Sequence, residues 1–338
     1  MFCHFDEAQW WGYYSQMNRN AGGLFRFRAF HEDVECLSNY INNFRDNYIT
    51  LSDRAHWGEL ETNIPFRVLE NFESYEFPWE VRCPDGLRIH KLGNKRVVST
   101  FILLQSAHFL PFVEENHKCR RLHGHNFGLW LSVEISDFDL VGTNSIEIMY
   151  AISHEIKAEL DRKILNDIDG LENPTSEFIA KWVYNKLQNS SLSVVSILCI
   201  ETSNSAACYH GENLWSCWKS FDFESVWRPS YREYIGHSFR LSTAVTGELC
   251  PSKGWVMDFS EIKSIMKPLV TKLDHRDLSL VLDGQCNTSE GLLNWLSSSV
   301  SDIGNATYCL QSLPSIGVYK IGKGLDLYHA IPFLNWGI

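Results

Sequence analysis

The chain contains no Cys-x-x-Cys pair, although it holds ten cysteines among 338 residues. A zinc ribbon or a thioredoxin-type redox motif needs that spacing, so both are excluded. There is also no apolar run near the ~18 residues of a membrane-spanning helix. Lysine and arginine nowhere form a run, and the net charge is −11; neither nucleic acid nor an anionic membrane surface is an expected partner. The first residues, MFCHFDEAQWW, lack the basic-then-apolar pattern of a secretory leader. The cysteines are therefore expected as reduced thiols in a cytoplasmic protein, most of them small core residues such as Cys199.

What the chain does have is an ordinary globular balance, 44% hydrophobic and 21% charged, and enough length for two or three domains. Its densest chemistry lies in FILLQSAHFLPFVEENHKCRRLHGHNFGLW, from Phe101 to Trp130. Strand-like runs flank the cluster. Residues two apart on a strand point to one side, so His123 and His125 can present both imidazoles to one point. His108, ending the preceding run, completes three nitrogen ligands if the two runs pair. Three protein ligands with one position open is the pattern of a catalytic zinc. Cys119, four residues before His123, would then be placed for activation as a thiolate by the cation.

The order of elements repeats. After the histidine cluster come a helical stripe through Ile148, Met149, Ile152, Ile156 and Leu160, and a helix start at Asn173-Pro174-Thr175-Ser176-Glu177. Two strands follow, LSVVSILCIET and the stretch around Cys208. The same order returns from residue 213: two strands, a helix SEIKSIMKPLVTKLDH with Pro268 as an expected kink, a helix opened by Asn287-Thr288-Ser289-Glu290, and two more strands. Residues 1–95 match no motif strongly. They read as strands, helices within Phe30–Tyr48 and from Asn63, and a strand pair around Pro84-Asp85-Gly86. His4, His31, His56 and His90 are too dispersed to form a site.

From about Ser99 to Glu212, SAHFLP…HKCRRLHGHNF, LNDIDGLENPTSEFIAKW and ETSNSAACYHGE follow in order. Together they resemble the 6-pyruvoyltetrahydropterin synthase family, and more closely its queuosine-pathway branch, 6-carboxytetrahydropterin synthase. The resemblance implies an α+β tunnelling fold (T-fold), each copy a four-stranded antiparallel sheet with two helices. The family closes three such units into a twelve-stranded barrel. It places residues 96–212 as a copy with a metal site and 213–338 as a copy without one. Residues 1–95 are then a degenerate third copy completing a pseudo-trimeric barrel, or else an accessory domain.

The resemblance also assigns roles. Zn2+ would sit on His108, His123 and His125. Glu201 would anchor a pterin ring, with Thr175 and Ser176 adding contacts. The family's Asp-His dyad is missing from the middle copy, where Asp161 is followed by Arg162, but is kept in the last as Asp274-His275. In that last copy Trp227, Ile235 and Tyr231 stand where His108, His123 and Cys119 stand, His237 is a relic, and Tyr319-Lys320 lies near the lost Glu-Thr motif. Because the family's sites lie between subunits, one composite site is expected, with zinc, Cys119 and anchor from the middle copy and the dyad from the last. The activity implied is a zinc-dependent lyase converting 7,8-dihydroneopterin triphosphate to 6-carboxytetrahydropterin, acetaldehyde and triphosphate, in 7-deazaguanine (queuosine-type) biosynthesis. A 6-pyruvoyltetrahydropterin product, or a non-catalytic pterin-binding or assembly protein, are the alternatives. Two rings face to face are the implied homo-oligomer.

Overall fold

The computed structural model describes residues 2–16, 19–31, 79–82, 86–135, 140–230, 233–282, 288–300, 303–312, 316–326, 328–329 and 332. The helix expected from Asn63 and Tyr231 lie outside these residues, as does nearly all of the helix expected within Phe30–Tyr48. Strands β1 (Phe2–Gln16), β2 (Arg19–His31), β3 (Trp79–Arg82) and β4 (Arg88–Leu92) come first. Next are β5 (Lys95–His108) and β6 (His123–Ile135), helices α1 (Leu140–Leu160) and α2 (Ser176–Gln188), and strands β7 (Ser193–Thr202) and β8 (Ser205–Tyr209). The last stretch holds β9 (Trp215–Ser230), β10 (Glu233–Gly247), α3 (Phe259–Leu273), the two-residue β11 (Arg276–Asp277), the single turn α4 (Leu278–Val281), α5 (Ser289–Ser298), β12 (Ala306–Ser312) and β13 (Ile316–Lys320).

The strand pairings run in a circuit. From β1 to β10 every strand pairs with the next, β10 continues to β12 and β13, and β13 returns to β1. All these neighbours are antiparallel; only β11 is added alongside, parallel to β9. Among the described residues, each strand of this circuit has a hydrogen-bonded neighbour on both sides, which limits the template for edge-to-edge aggregation.

In the middle and last stretches the strands have one face toward the helices and one toward the opposite side of the sheet, and the sequence of β7 shows the consequence. Ile197 and Cys199 join the core formed with α1 and α2, whereas Leu198 faces the opposite core. A run buried on both faces needs no polar alternation, which is why SVVSILCIET reads as continuously apolar. The interior core collects Leu92, Trp130, Trp218, Ala244, Cys309 and Tyr319 from strands around the circuit. Two helix-backed cores lie outside. In α2, Ile179, Val183 and Leu187 repeat every four residues and are fully buried. Truncating Leu187 to Ala would cost about 2–5 kcal/mol in lost burial and cavity. In α3, Ile262, Met266, Val270 and Leu273 play the same part. Pro268 stays within the helix on its exposed face, where the carbonyl it leaves unbonded can turn to water.

The middle and last stretches repeat bond for bond. Gln105 N–H donates to Asp161 Oδ1 at 2.7 Å, and Glu224 N–H to Asp274 Oδ1 at 3.0 Å. Ser106 Oγ donates to the Leu160 carbonyl and Ser225 Oγ to that of Leu273, at 2.6 and 2.5 Å. His108 pairs with His123 across β5 and β6; Trp227 pairs with Ile235 across β9 and β10. The ladder locates the residue that replaces Glu201 in the last copy. Gly128 pairs with Ile200 on β7, and Arg240 with Gln311 on β12. Ser312, one residue on, therefore stands where Glu201 does, rather than the Tyr319-Lys320 pair on the next strand.

Candidate active site

The β5–β6 ladder brings the three histidines together. Their rings lie with centroids 4.5 to 5.2 Å apart, and one nitrogen from each falls within 4.8 Å of the others. His108 is buried, and its Nδ1 lies 2.8 Å from the Pro174 carbonyl. A carbonyl only accepts, so Nδ1 carries the proton and Nε2 keeps a lone pair. His123 is held the same way, with Nδ1 2.7 Å from the Arg121 carbonyl. The Nε2 atoms of His108 and His125 are buried and have no hydrogen-bond partner. Burial pushes His108 down to about 4, despite the Pro174 bond and the Glu201 carboxylate acting against it, and burial also lowers His125. His108 and His125, with burial disfavouring their charged forms and with Nε2 atoms that no hydrogen bond occupies, offer the lone pairs a divalent cation requires, so the residues fit the metal that their spacing implied.

Glu201, at the end of β7, links this cluster to a neighbouring pocket. One carboxylate oxygen is 3.5 Å from His125 Nε2, and the other accepts from Ser176 Oγ at 2.6 Å. The pocket, of about 250 Å³, is lined by Cys119, Thr175, Ser176, Glu177 and Glu201 on one side. Trp255, Met257, Asp258 and Phe259, from the segment between β10 and α3, close the other. That segment is tied across by three bonds. Thr175 Oγ1 donates to the Gly254 carbonyl at 2.9 Å, Asn173 Nδ2 to the Lys253 carbonyl at 3.0 Å, and Val256 N–H to Glu177 Oε1 at 3.3 Å. Thr175 also caps α2 by accepting from Phe178 N–H. Gly254 has φ +81°, and a Cβ there would stand 2.3 Å from the Phe178 ring; the close approach requires glycine.

Cys119 sits in a 3-10 turn, Lys118–Arg120, within the β5–β6 connection. Its protein neighbours do not favour the thiolate. Partial burial first, then Glu201 and Asp258, push the thiol up, with Lys118 opposing. The activation expected of Cys119 is therefore not supplied by these side chains.

Asp274 and His275 are not brought to this pocket within the chain. Asp258, in the pocket wall, caps the start of α3, and Asp274 caps its end. Fifteen helical residues separate them, about 22 Å at 1.5 Å per residue. The His275 side chain is 78% exposed, and its Nδ1 is 2.9 Å from Asp274 Oδ1. Arg162 holds the equivalent position. Both residues have positive φ, 59° and 55°, and donate N–H to a strand carbonyl, of Gln105 and Glu224 respectively. Beside Arg162, an open cleft of about 590 Å³ is lined by Lys163, Gly124, His125 and Asn126.

Residue reading missed Glu177, His117, Asp258 and Trp255 as pocket residues. Glu177 is fully buried, and burial raises its carboxyl to about 8. The GWVMDF segment leads into α3 and on to Asp274-His275; nothing local in it shows that it folds over the other half of the molecule.

A family model described as 6-pyruvoyl tetrahydropterin synthase matches residues 98–212 and 228–314, together more than half of the chain. The 6-carboxy-5,6,7,8-tetrahydropterin synthase of Synechocystis sp. is 37% identical over 117 residues, covering 32% of this chain and 89% of that protein. The dihydroneopterin monophosphate aldolase of Pyrococcus furiosus is 37% identical over 82 residues, 24% of this chain and 68% of that one. A solved structure of Caenorhabditis elegans 6-pyruvoyl tetrahydropterin synthase covers 34% of this chain and 95% of its own, at 18% identity and a TM-score of 0.32. No helix among the described residues is long and apolar enough to cross a membrane. The chain belongs to the 6-pyruvoyl tetrahydropterin synthase family of enzymes, which it matches in two tandem segments.

Proposed function

We propose that the chain is a zinc-dependent lyase of the 6-carboxytetrahydropterin synthase type, converting 7,8-dihydroneopterin triphosphate to 6-carboxytetrahydropterin, acetaldehyde and triphosphate. One observation carries this reading: Glu201 is shared between the imidazole cluster and the pocket that holds Cys119. A flat ring anchored at Glu201 would then hold its side chain between the three histidines and the thiol. The 37% identity to a named 6-carboxytetrahydropterin synthase supports that branch.

His108, His123 and His125 would hold the cation, and three neutral nitrogens suit zinc. Bound there, it would supply Lewis acidity toward the substrate's side-chain oxygens and positive charge favouring the Cys119 thiolate. Cys119 moves a proton at the side-chain carbon. Glu201 accepts from the ring N–H and amino groups. The Ser176 hydroxyl orients that carboxylate, and Thr175, committed to Gly254 and Phe178, builds the wall rather than reading the ligand. Arg162 and Lys163 offer cationic groups beside His125 for the triphosphate, which a guanidinium suits.

The division into copies 1–95, 96–212 and 213–338 as a pseudo-trimeric barrel belongs to the same proposal. Its support is the strand circuit, in which β1–β4, β5–β8 and β9, β10, β12, β13 each form a consecutive group of four. A cytoplasmic enzyme of 7-deazaguanine synthesis, assembled as two rings face to face, completes the reading. Asp274-His275, on an exposed turn, would serve such a site only across a contact between chains.

One observation favours a second reading, a pterin-binding protein without turnover: Arg162 replaces the family's histidine. Anaerobic incubation of zinc-loaded protein with 7,8-dihydroneopterin triphosphate, with products resolved by mass, separates the readings. The expected result is a carboxy-pterin with acetaldehyde. A pyruvoyl product selects the sister branch, and no conversion beside a competent control enzyme selects the binding protein.

A further inference from the structure

The pocket that holds Cys119 has no imidazole from the Asp274-His275 pair, yet it is not without one. His117 is the imidazole among its lining residues. It caps the 3-10 turn that carries Cys119, its Nδ1 accepting the Cys119 N–H at 3.2 Å. A ring nitrogen that accepts carries no proton, so the ring's N–H is at Nε2. That nitrogen faces Asp258 Oδ2 at 4.0 Å.

Asp258 is placed for this by its own commitments. Its Oδ1 caps α3, accepting from Ser260 N–H at 2.7 Å and Ser260 Oγ at 2.6 Å, which leaves Oδ2 for His117. The segment before it is pinned to the other half of the molecule by the bonds of Thr175, Asn173 and Glu177. The main chain that carries Asp258 is thus brought to His117 by tertiary bonds. Carboxylate, imidazole and cysteine follow one another in space, drawn from two stretches 139 positions apart in their outer members (Cys119 and Asp258).

We propose that Asp258, acting through His117, positions Cys119, and that this pair stands in for the Asp-His dyad the middle copy lacks at Asp161-Arg162. His117 and Asp258 are positioning residues in this scheme. The aspartate holds the ring's tautomer and angle, and the ring holds the turn that aims the thiol. The proposal rests on Cys119 being the reacting thiol of the proposed function.

The test uses the full-length zinc-loaded chain with 7,8-dihydroneopterin triphosphate. His117→Asn keeps an acceptor for the Cys119 amide but cannot reach Asp258. Asp258→Ser keeps the helix cap but also falls short of the pair, and Asp258→Asn keeps the shape without the charge. Asn and Ser are good N-caps, so folding is retained; equal zinc content and unchanged circular dichroism verify it. We expect kcat to fall about tenfold or more in His117→Asn and Asp258→Ser, with KM within about twofold, as for an effect on the reacting geometry rather than on binding. The double variant His117→Asn/Asp258→Ser should lose no more than the worse single variant, because residues in one chain of contacts are not additive. Alkylation of the Cys119 peptide by iodoacetamide, followed by mass, should quicken in Asp258→Asn as a nearby negative charge is removed.

If both single variants keep kcat within about twofold of the parent while Cys119→Ala is inactive, the positioning role is overturned and the thiol's role stands. Multiplying losses in the double variant overturn the shared chain likewise. Full activity in Cys119→Ala sinks the reading of Cys119 itself, and the positioning role with it.

Discussion

The Gly254 carbonyl accepts the Thr175 hydroxyl at 2.9 Å, joining two stretches 79 residues apart at the mouth of the Cys119 pocket. The same threonine caps α2. One hydroxyl therefore fixes both the helix that presents Ser176 and the segment that presents Trp255 and Asp258.

Gly254→Ala should break this junction. Alanine at φ +81° carries a backbone cost of about 1–2 kcal/mol. Its Cβ would also collide with Phe178 and Asn173, for about 1–3 kcal/mol more by overpacking. Urea denaturation should show a loss of about 2–5 kcal/mol, with the midpoint moved and the slope unchanged. A stability equal to the parent's would mean the segment is free to reseat.

His125→Ala should abolish metal retention while leaving the fold intact, because His125 lines a cleft and is only half-buried. Two remaining nitrogens make a poor site for zinc. Metal analysis after gel filtration measures it directly: stoichiometric zinc in the variant would remove His125 from the ligand set. His108→Ala should lose the metal and also stability, since His108 is buried against Phe127.

Glu201→Gln should weaken ligand binding by about 1.5–3 kcal/mol, the range for hydrogen bonds to a charged group, or roughly ten- to a hundredfold. Calorimetry with a non-reacting pterin gives the value. An unchanged affinity would show that the ring lies elsewhere.

Glu177 makes stability depend on pH with a definite sign. Burial raises its carboxyl from 4.5 to about 8. Between those values the folded protein holds a proton that the unfolded chain has released, so stability falls as pH rises. The contribution is complete below the unfolded value and is lost as pH passes the folded one, at up to about 1.4 kcal/mol per pH unit. Glu177→Gln, neutral at all pH, should flatten the decline of the unfolding midpoint between about pH 5.5 and 8. An identical slope in parent and variant would place the proton elsewhere.

Arg162→Gly should stabilise the chain. Arg162 adopts φ 59°, its side chain is 82% exposed, and its one ion pair among the described residues, with Asp161, is long at 3.9 Å. Removing Cβ relieves about 1 kcal/mol of left-handed backbone cost, less some gain in unfolded-state freedom. Chemical denaturation reads the net change; a clear loss would reveal an interaction of the guanidinium.

The histidine trio was legible because its physics is local: two residues share a strand face through His123-x-His125, and a hairpin register brings His108 opposite. The helix starts at Thr175 and Thr288 were legible for the same reason, a capping hydroxyl followed by an acidic first turn. The loss of the Glu-Thr motif from the last copy was legible, but not which residue replaces Glu201, because repeats align by ladder register, which a worn sequence no longer marks. The Asp274-His275 dyad, which follows GWVMDF in sequence, was expected at the pocket because the two copies' losses are complementary and the family's sites lie between subunits. An intervening fifteen-residue helix carries the dyad and the GWVMDF segment to opposite ends.

The sequence by itself determined the described elements and the grouping of His108, His123 and His125, since propensity, periodicity and spacing act over a few residues. Only the tertiary structure decided which residues share the Cys119 pocket. That choice depends on the β8–β9 pairing and on three hydrogen bonds spanning about eighty residues of chain. Such bonds form between backbone and side-chain groups common to any loop, and leave no pattern until folding has placed them.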